Sequence, residues 1–299
     1  YFKYDNVQSH RQVGSTFKPF VYTMALQDLG MYPCTEVPNA EVCFEVWNKP
    51  DWCPKNSTHE REGEMVTLKW GLQQSNNWIS AYLMSKLNPQ AFVDLLHQYG
   101  INNPEIHPSM ALCLGPCEIS VGEMASAYTA FVNHGIRAAH MFVTRIEDGE
   151  GNIIAQFQPR MNEVISAESA YKMLVLLQEV INNGTGRRLR AKYNVECEMG
   201  GKTGTTNNNS DAWFMGITPQ LVSGCWVGGE DRDIHFNSTS IGQGAAMALP
   251  IFAIYIKKIF ADRSLGYNPE AKFDIPEEFD PCASIGDDID EFGIDEVFE

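Results

Sequence analysis

The chain has 299 residues, 44% of them hydrophobic and 20% charged, which suits one large globular domain with a sizeable core. A formal net charge of −16 argues against nucleic acid as a partner. No run of about 18 apolar residues offers a membrane span.

The first informative stretch is Gln12 to Phe20, QVGSTFKPF. Pro19 reads as the first turn of a helix, where a missing N–H costs nothing. Ser15 and Lys18 then share one helical face, a hydroxyl beside an amine close to the partially positive helix start. That pattern fits a serine nucleophile with a lysine base, and equally a capping serine with a solvated lysine. Phe17, Phe20, Val21, Met24 and Ala25 continue at helical spacing until Gly30.

From Tyr32 to Gly63 the chain is rich in Pro, Asn and Trp and lacks periodicity, so it reads as an irregular insertion bordering a groove. Trp47 and Trp52 are candidates to line that groove or to pack within the loop. Thr67 caps a short helix through Leu72, and Ser75 and Asn77 fall at the break before a second helix, Ile79 to Leu87. The two either enter a cleft or cap the second helix. Further helices are predicted at Pro89 to Tyr99, Ser120 to His134 with Tyr128 and Phe131 inward, and Ala167 to Asn182. Asn182 to Gly186 reads as a flexible connector. Arg187, Arg188 and Arg190 behind it are either solvated or available to carboxylates.

Beyond this the period changes to 2. Gly200 to Thr205, Ala212 to Ile217 and Leu221 to Val227 are predicted as antiparallel strands, followed by a helix from Met247 to Phe260. The architecture expected is α+β, helices beside an antiparallel sheet. The first strand holds Lys202-Thr203-Gly204-Thr205. Residues 266–299 hold 12 acids and one Lys, leaving −5 for the rest, and with Pro276, Pro281 and Gly286 they are expected to form a disordered tail beyond a domain at 1–265.

Eight cysteines suggest an oxidising compartment, with a disulfide among Cys34, Cys43 and Cys53 favoured over a zinc site at Cys113 and Cys117. No metal or other cofactor is expected.

S-x-x-K at Ser15, S-x-N at Ser75 and K-T-G-T at Lys202 occur in the order known for β-lactamases and penicillin-binding proteins. With RQVGSTFKPF at Arg11–Phe20, GKTGTT at Gly201–Thr206, SDAWFMG at Ser210–Gly216 and WVGGED at Trp226–Asp231, the chain from about Tyr4 to Leu265 resembles the transpeptidase domain of a bifunctional class A penicillin-binding protein. Asn76 departs from the small apolar or acidic residue usual between the serine and asparagine of S-x-N.

The resemblance implies a helix-sheet-helix penicillin-binding/β-lactamase-like fold whose opening strands lie outside this chain. It also implies a glycosyltransferase domain and an N-terminal membrane anchor there, an extracytoplasmic location at the inner membrane, and partner proteins of cell-wall synthesis. It assigns Ser15 as nucleophile toward D-Ala-D-Ala stem peptides and β-lactams, Lys18 as base, Ser75 and Lys202 as proton relay and second cation, and Asn77, Thr203, Gly204 and Thr205 as substrate contacts. A β-lactamase or carboxypeptidase shares these motifs. The one E-x-x-x-N stretch between them that would serve a deacylating carboxylate, Glu179 to Asn183, reads better as a helix face. A penicillin-binding sensor module is the other alternative.

Overall fold

The computed structural model describes residues 4–46, 48 and 50–283. The chain opens with β1 (Arg11–Gln12), a 3-10 turn (Gly14–Phe17) and α1 (Lys18–Asp28), which ends at Gly30 in the left-handed region. β2 (Glu36–Pro38) and β3 (Met65–Thr67) bracket the irregular insertion as an antiparallel pair. Then follow α2 (Leu68–Gln73), α3 (Asn77–Lys86), α4 (Pro89–Gln98), β4 (Glu118–Ile119) and α5 (Val121–Val132).

A peripheral section contains β5 (Ile136–Ala138), the hairpin β6 (Arg145–Glu147) and β7 (Ile153–Gln156), and β8 (Met161–Glu163). These strands escaped the sequence reading because three or four residues are too few to display a period. α6 (Ala167–Asn182) and α7 (Arg188–Ala191) lead into the main sheet of β9 (Gly200–Thr205), β10 (Asp211–Thr218) and β11 (Leu221–Gly228). α8 (Thr239–Gly242) and α9 (Gly244–Ala261) follow.

The sheet order is β11-β10-β9, antiparallel throughout. Every residue of β10 is buried, and its side chains alternate between two cores. Trp213, Met215 and Ile217 join the cluster built by α1, α5 and α6, while Phe214 meets α9 with its ring 4.9 Å from Phe252. Burial on both faces explains why β10 is apolar at consecutive positions. Among the described residues β9 pairs on one side only, with β10.

The 23 residues Thr239–Ala261 are apolar enough in composition to cross a membrane. Their packing gives another use: Ala248, Phe252, Ala253 and Ile256 are buried in the cluster on the outer face of the sheet.

The expected disordered tail needs correction between Gly266 and Ala283. Phe273 is 7% exposed within the main core, Ile275 packs beside it, and Cys282 is disulfide-bonded to Cys34. Charge density hid one aromatic anchor and one covalent link, which together hold an acidic segment whose composition favours disorder. Residues 284–299 lie outside the described chain. The second disulfide, Cys43–Cys53, falls inside the cysteine cluster singled out from the sequence. Phe273→Ala should lower unfolding free energy by about 3 kcal/mol in denaturant titrations; a change below about 0.5 kcal/mol would show that the segment is not docked.

Candidate active site

Backbone contact builds the first part of the site. Val13 and Gly14 donate their N–H groups to Cys117 and Gly115, at 3.2 and 3.0 Å, which fixes the approach to the 3-10 turn. The Tyr128 hydroxyl donates to the Thr16 carbonyl at 2.6 Å and fixes the turn from below. Gly14 has φ +54°, and a Cβ there would lie 2.7 Å from the Thr205 carbonyl oxygen. A Cβ on Gly204 would lie equally close, 2.7 Å, to the Val13 carbonyl. Two main chains therefore touch where neither carries a side chain, and this sets Ser15 beside β9.

The second part comes from the break between α2 and α3. Ser75 has φ +55°, a conformation costly for a residue with a Cβ and often found at functional sites. That twist turns both its hydroxyl and its carbonyl toward two fully buried lysines. Lys18 donates to the Ser75 carbonyl at 2.5 Å and to Asn77 Oδ1 at 2.6 Å, with Ser75 Oγ at 3.4 Å. Lys202 donates to Ser75 Oγ at 2.9 Å and to the Thr203 carbonyl at 3.0 Å.

Lys18, Ser75, Asn77, Lys202 and Thr203 are thus joined by hydrogen bonds, and the Gly14–Thr205 contact brings the turn that carries Ser15 beside the same strand. Lys18 makes its hydrogen bonds with Ser75 and Asn77 and none with the Ser15 hydroxyl among the described residues. Their i, i+3 spacing still keeps the two side chains neighbours.

Burial governs the charge state. Desolvation brings the Lys18 ammonium down from 10.5 to about 7, with the nearby Cys113 thiol opposing the shift. Lys202 is pushed well below its ordinary value by burial first and by Lys18 second. Lys18 owes its shift to removal from water, and its charge acts in turn on Lys202.

The helix start is capped by Asn76 and not by either flanking residue. Its side chain accepts from Ile79 N at 3.0 Å and donates to Asn39 Oδ1 at 2.8 Å. The residue that departs from the family pattern is thus a buried structural cap, and this frees Ser75 and Asn77 to face the pocket.

The Thr203 hydroxyl lies 2.7 Å from that of Thr185, inside the Asn182–Gly186 stretch whose composition predicts a flexible connector. That connector is docked: Thr185 N donates to the Gln73 carbonyl at 3.2 Å, and Gln73 Nε2 donates to the Asn183 carbonyl at 3.0 Å. The one signal in the sequence was its Gly-Thr-Gly composition, which also describes an ordinary linker. Thr205 Oγ1 accepts from Gly244 N at 3.1 Å, which leaves its own hydrogen available.

Arg188 and Arg190 are committed to backbone carbonyls, of Ala245 and of Val195 and Cys197. Cys113 and Cys117 are buried free thiols that burial pushes up to about 12. Trp52 both stacks on Phe44 and lines a cavity of about 150 Å³ with Gly14, Leu114 and Thr205. Trp47 lies outside the described residues. Glu179 accepts from Asn183 at 2.5 Å within the end of α6.

The sequence model of the penicillin binding protein transpeptidase domain matches residues 1–224. The chain belongs to the penicillin-binding protein transpeptidase family. It is 33% identical over 258 residues to penicillin-binding protein 1A of Neisseria meningitidis, covering 84% of this chain and 32% of that protein. The counterpart from Aquifex aeolicus is 30% identical over 276 residues, 91% of this chain and 36% of that protein. The crystal structure of penicillin-binding protein 1A from Haemophilus influenzae superposes with a TM-score of 0.81 at 26% identity, over 91% of this chain and 45% of that one. The chain spans about a third of the length of the curated relatives it matches. The helix-sheet-helix fold of the transpeptidase family is therefore the fold of this chain.

Lys18 titrates near 7 when folded and near 10.5 when unfolded, so between those values the unfolded chain binds the extra proton. Relative to Lys18→Met, the wild type should gain stability as pH rises from about 7 toward 10, by at most about 1.4 kcal/mol per pH unit. Denaturant unfolding of both proteins across that range checks this; a constant difference would mean that the amine keeps its ordinary value.

Proposed function

We propose that this chain is a serine DD-transpeptidase module acting on peptidoglycan stem peptides. The observation that supports it most is the pair of buried lysines meeting on the Ser75 hydroxyl, one of them three residues after Ser15. Ser15 Oγ attacks the carbonyl carbon of the D-Ala-D-Ala peptide bond as Lys18, neutral near pH 7, takes its proton. Ser75 passes a proton from the lysine pair to the departing D-alanine amine. The acyl group on Ser15 then goes to an amine of a neighbouring stem peptide, with loss of the Ser15 ester and formation of an amide.

The remaining groups bind and orient. The N–H groups of Ser15 and Thr205 hold the developing oxyanion, since the glycine contacts bring these two backbones together. The free side of β9 receives the extended donor peptide by strand addition, and Asn77 receives its amide. The hydroxyls of Thr203 and Thr205, with the charge of Lys202, meet the terminal carboxylate. β-lactams enter as mimics of the acyl donor. The relatives are about three times as long, and on this reading the whole protein carries a glycosyltransferase domain and an N-terminal anchor and works at the outer face of the inner membrane with other cell-wall proteins.

Ser15→Ala should abolish covalent labelling by a fluorescent penicillin while leaving the unfolding transition intact. Stoichiometric labelling of that variant, mapped to another residue by mass spectrometry, would remove Ser15 from its role. In the wild type the labelling rate should rise with pH through a midpoint of about 7 as Lys18 loses its proton, and Lys18→Met should lower it by about 100-fold or more at neutrality. An unchanged pH profile in that variant would exclude Lys18 as the base. Slow release of the penicilloyl group separates a transpeptidase from a β-lactamase, which would free it rapidly.

A further inference from the structure

The insertion between α1 and α2 does more than border the groove. Asn77 is held from the insertion side at two points: its backbone N–H donates to Asn56 Oδ1 at 2.7 Å, and its Nδ2 donates to the Lys55 carbonyl at 2.6 Å. Asn56 Oδ1 also receives Trp78 N at 3.4 Å, and the Pro54 carbonyl receives Trp78 Nε1 at 2.9 Å. Three consecutive residues, Pro54 to Asn56, thus grip the first turn of α3. Further back, Asn39 accepts from Asn76 and donates to the carbonyls of Glu60 and Arg61, tying the far limb of the insertion to the same turn.

The grip has a fixed base. Cys53, one residue before Pro54, is disulfide-bonded to Cys43. The neighbouring residues Phe44 and Trp52 exchange a pair of backbone hydrogen bonds at 3.0 and 2.9 Å, with their rings stacked 5.5 Å apart. A cross-linked and backbone-paired stem has little freedom, so the segment leaving it meets α3 in one arrangement.

What the grip controls is the orientation of one amide. Asn77 Oδ1 accepts from Lys18 Nζ at 2.6 Å. With Lys55 receiving Nδ2 on the other side, the amide is held in the orientation that presents its oxygen to the lysine and leaves one Nδ2 hydrogen for a ligand. Rotation of this side chain would turn a donor toward the Lys18 donors and remove an acceptor from the buried amine. Among the described residues Asn56 makes no hydrogen bond to Ser15 or Lys18; it acts through Asn77.

We propose that Asn56 is a positioning residue for the acylation of Ser15: with the Cys43–Cys53 stem behind it, it fixes the Asn77 amide against Lys18. This rests on the transpeptidase reading given above. Asn56 Nδ2 is buried without a partner, so the accepting oxygen carries the effect. That separates two substitutions. Asn56→Asp keeps the acceptor for the N–H groups of Asn77 and Trp78, whereas Asn56→Ala removes it.

The test is stopped-flow labelling of the full chain with a fluorescent penicillin, resolved into the binding constant and the maximal acylation rate, with thermal unfolding of each variant alongside. Asn56→Ala should lower the maximal acylation rate by about tenfold or more while the binding constant moves much less, since misplacement of about 1 Å near the reacting groups costs on that order. Asn56→Asp should return the rate to within about threefold of wild type, and the double variant Cys43→Ala/Cys53→Ala should fall in the same parameter as Asn56→Ala. A maximal rate for Asn56→Ala within about twofold of wild type, or an Asp variant as slow as the Ala variant, would overturn the proposal. Should Asn56→Ala fail to fold, the Asp and double-cysteine variants decide it alone by the same two parameters. Failure of the wild type itself to become labelled at Ser15 would instead overturn the transpeptidase reading.

Discussion

Two buried lysine side chains reach one hydroxyl, that of Ser75. Lys18 and Lys202 are both fully buried, and among the described residues no carboxylate accepts a hydrogen bond from either. Four neutral acceptors meet them: the Ser75 carbonyl and hydroxyl, Asn77 Oδ1 and the Thr203 carbonyl. Such a site tolerates one proton far better than two, because desolvation and mutual repulsion both penalise the second positive charge. The Lys18 amine, brought down to about 7, is then partly neutral near pH 7, and the surrounding architecture serves to keep the two chain segments from separating.

Rigid elements supply that constraint from three directions. α1 is anchored through Phe17 and Phe20, which pack edge to face at 5.4 Å inside the main core. β9 is held by β10, whose two buried faces leave it no room to shift without disturbing both hydrophobic clusters. The α2–α3 break is held by the cap at Asn76, by the docked connector at Thr185 and by the insertion at Asn56. The two disulfides both act on the periphery: Cys43–Cys53 closes the stem of the insertion, and Cys34–Cys282 spans 248 residues to fasten the C-terminal segment at its root.

The longer helices were legible because each has a period and punctuation, whereas the four-residue α7 and α8 are too short to show one. Ala167–Asn182 matches its predicted bounds, and the helix predicted from Ser120 begins there, where the structure adds a capping box with Glu123. The strands Gly200–Thr205 and Leu221–Gly228 lie within a residue of expectation. Errors fell where local composition and tertiary contact disagree. A glycine-framed connector looked flexible and is pinned to α2 and β9, and an acidic tail looked unfolded and is docked by Phe273 and Cys282. The pair Ser75 and Asn77 left open a capping role that belongs to Asn76.

The sequence by itself determined the type of chemistry and the elements that carry it, since hydroxyl, amine and glycine at fixed spacings reflect local helix and strand geometry. Only the tertiary structure decided how those pieces act on one another. The charge on Lys18 depends on how much water the assembled core removes from it, and Ser75 acquires its bridging position from a left-handed turn pressed between two other segments. The insertion likewise gained its hold on Asn77 from hydrogen bonds across 21 and 22 residues, which no local pattern encodes. Separation along the chain carries no information about distance in space until the hydrophobic core closes and fixes it.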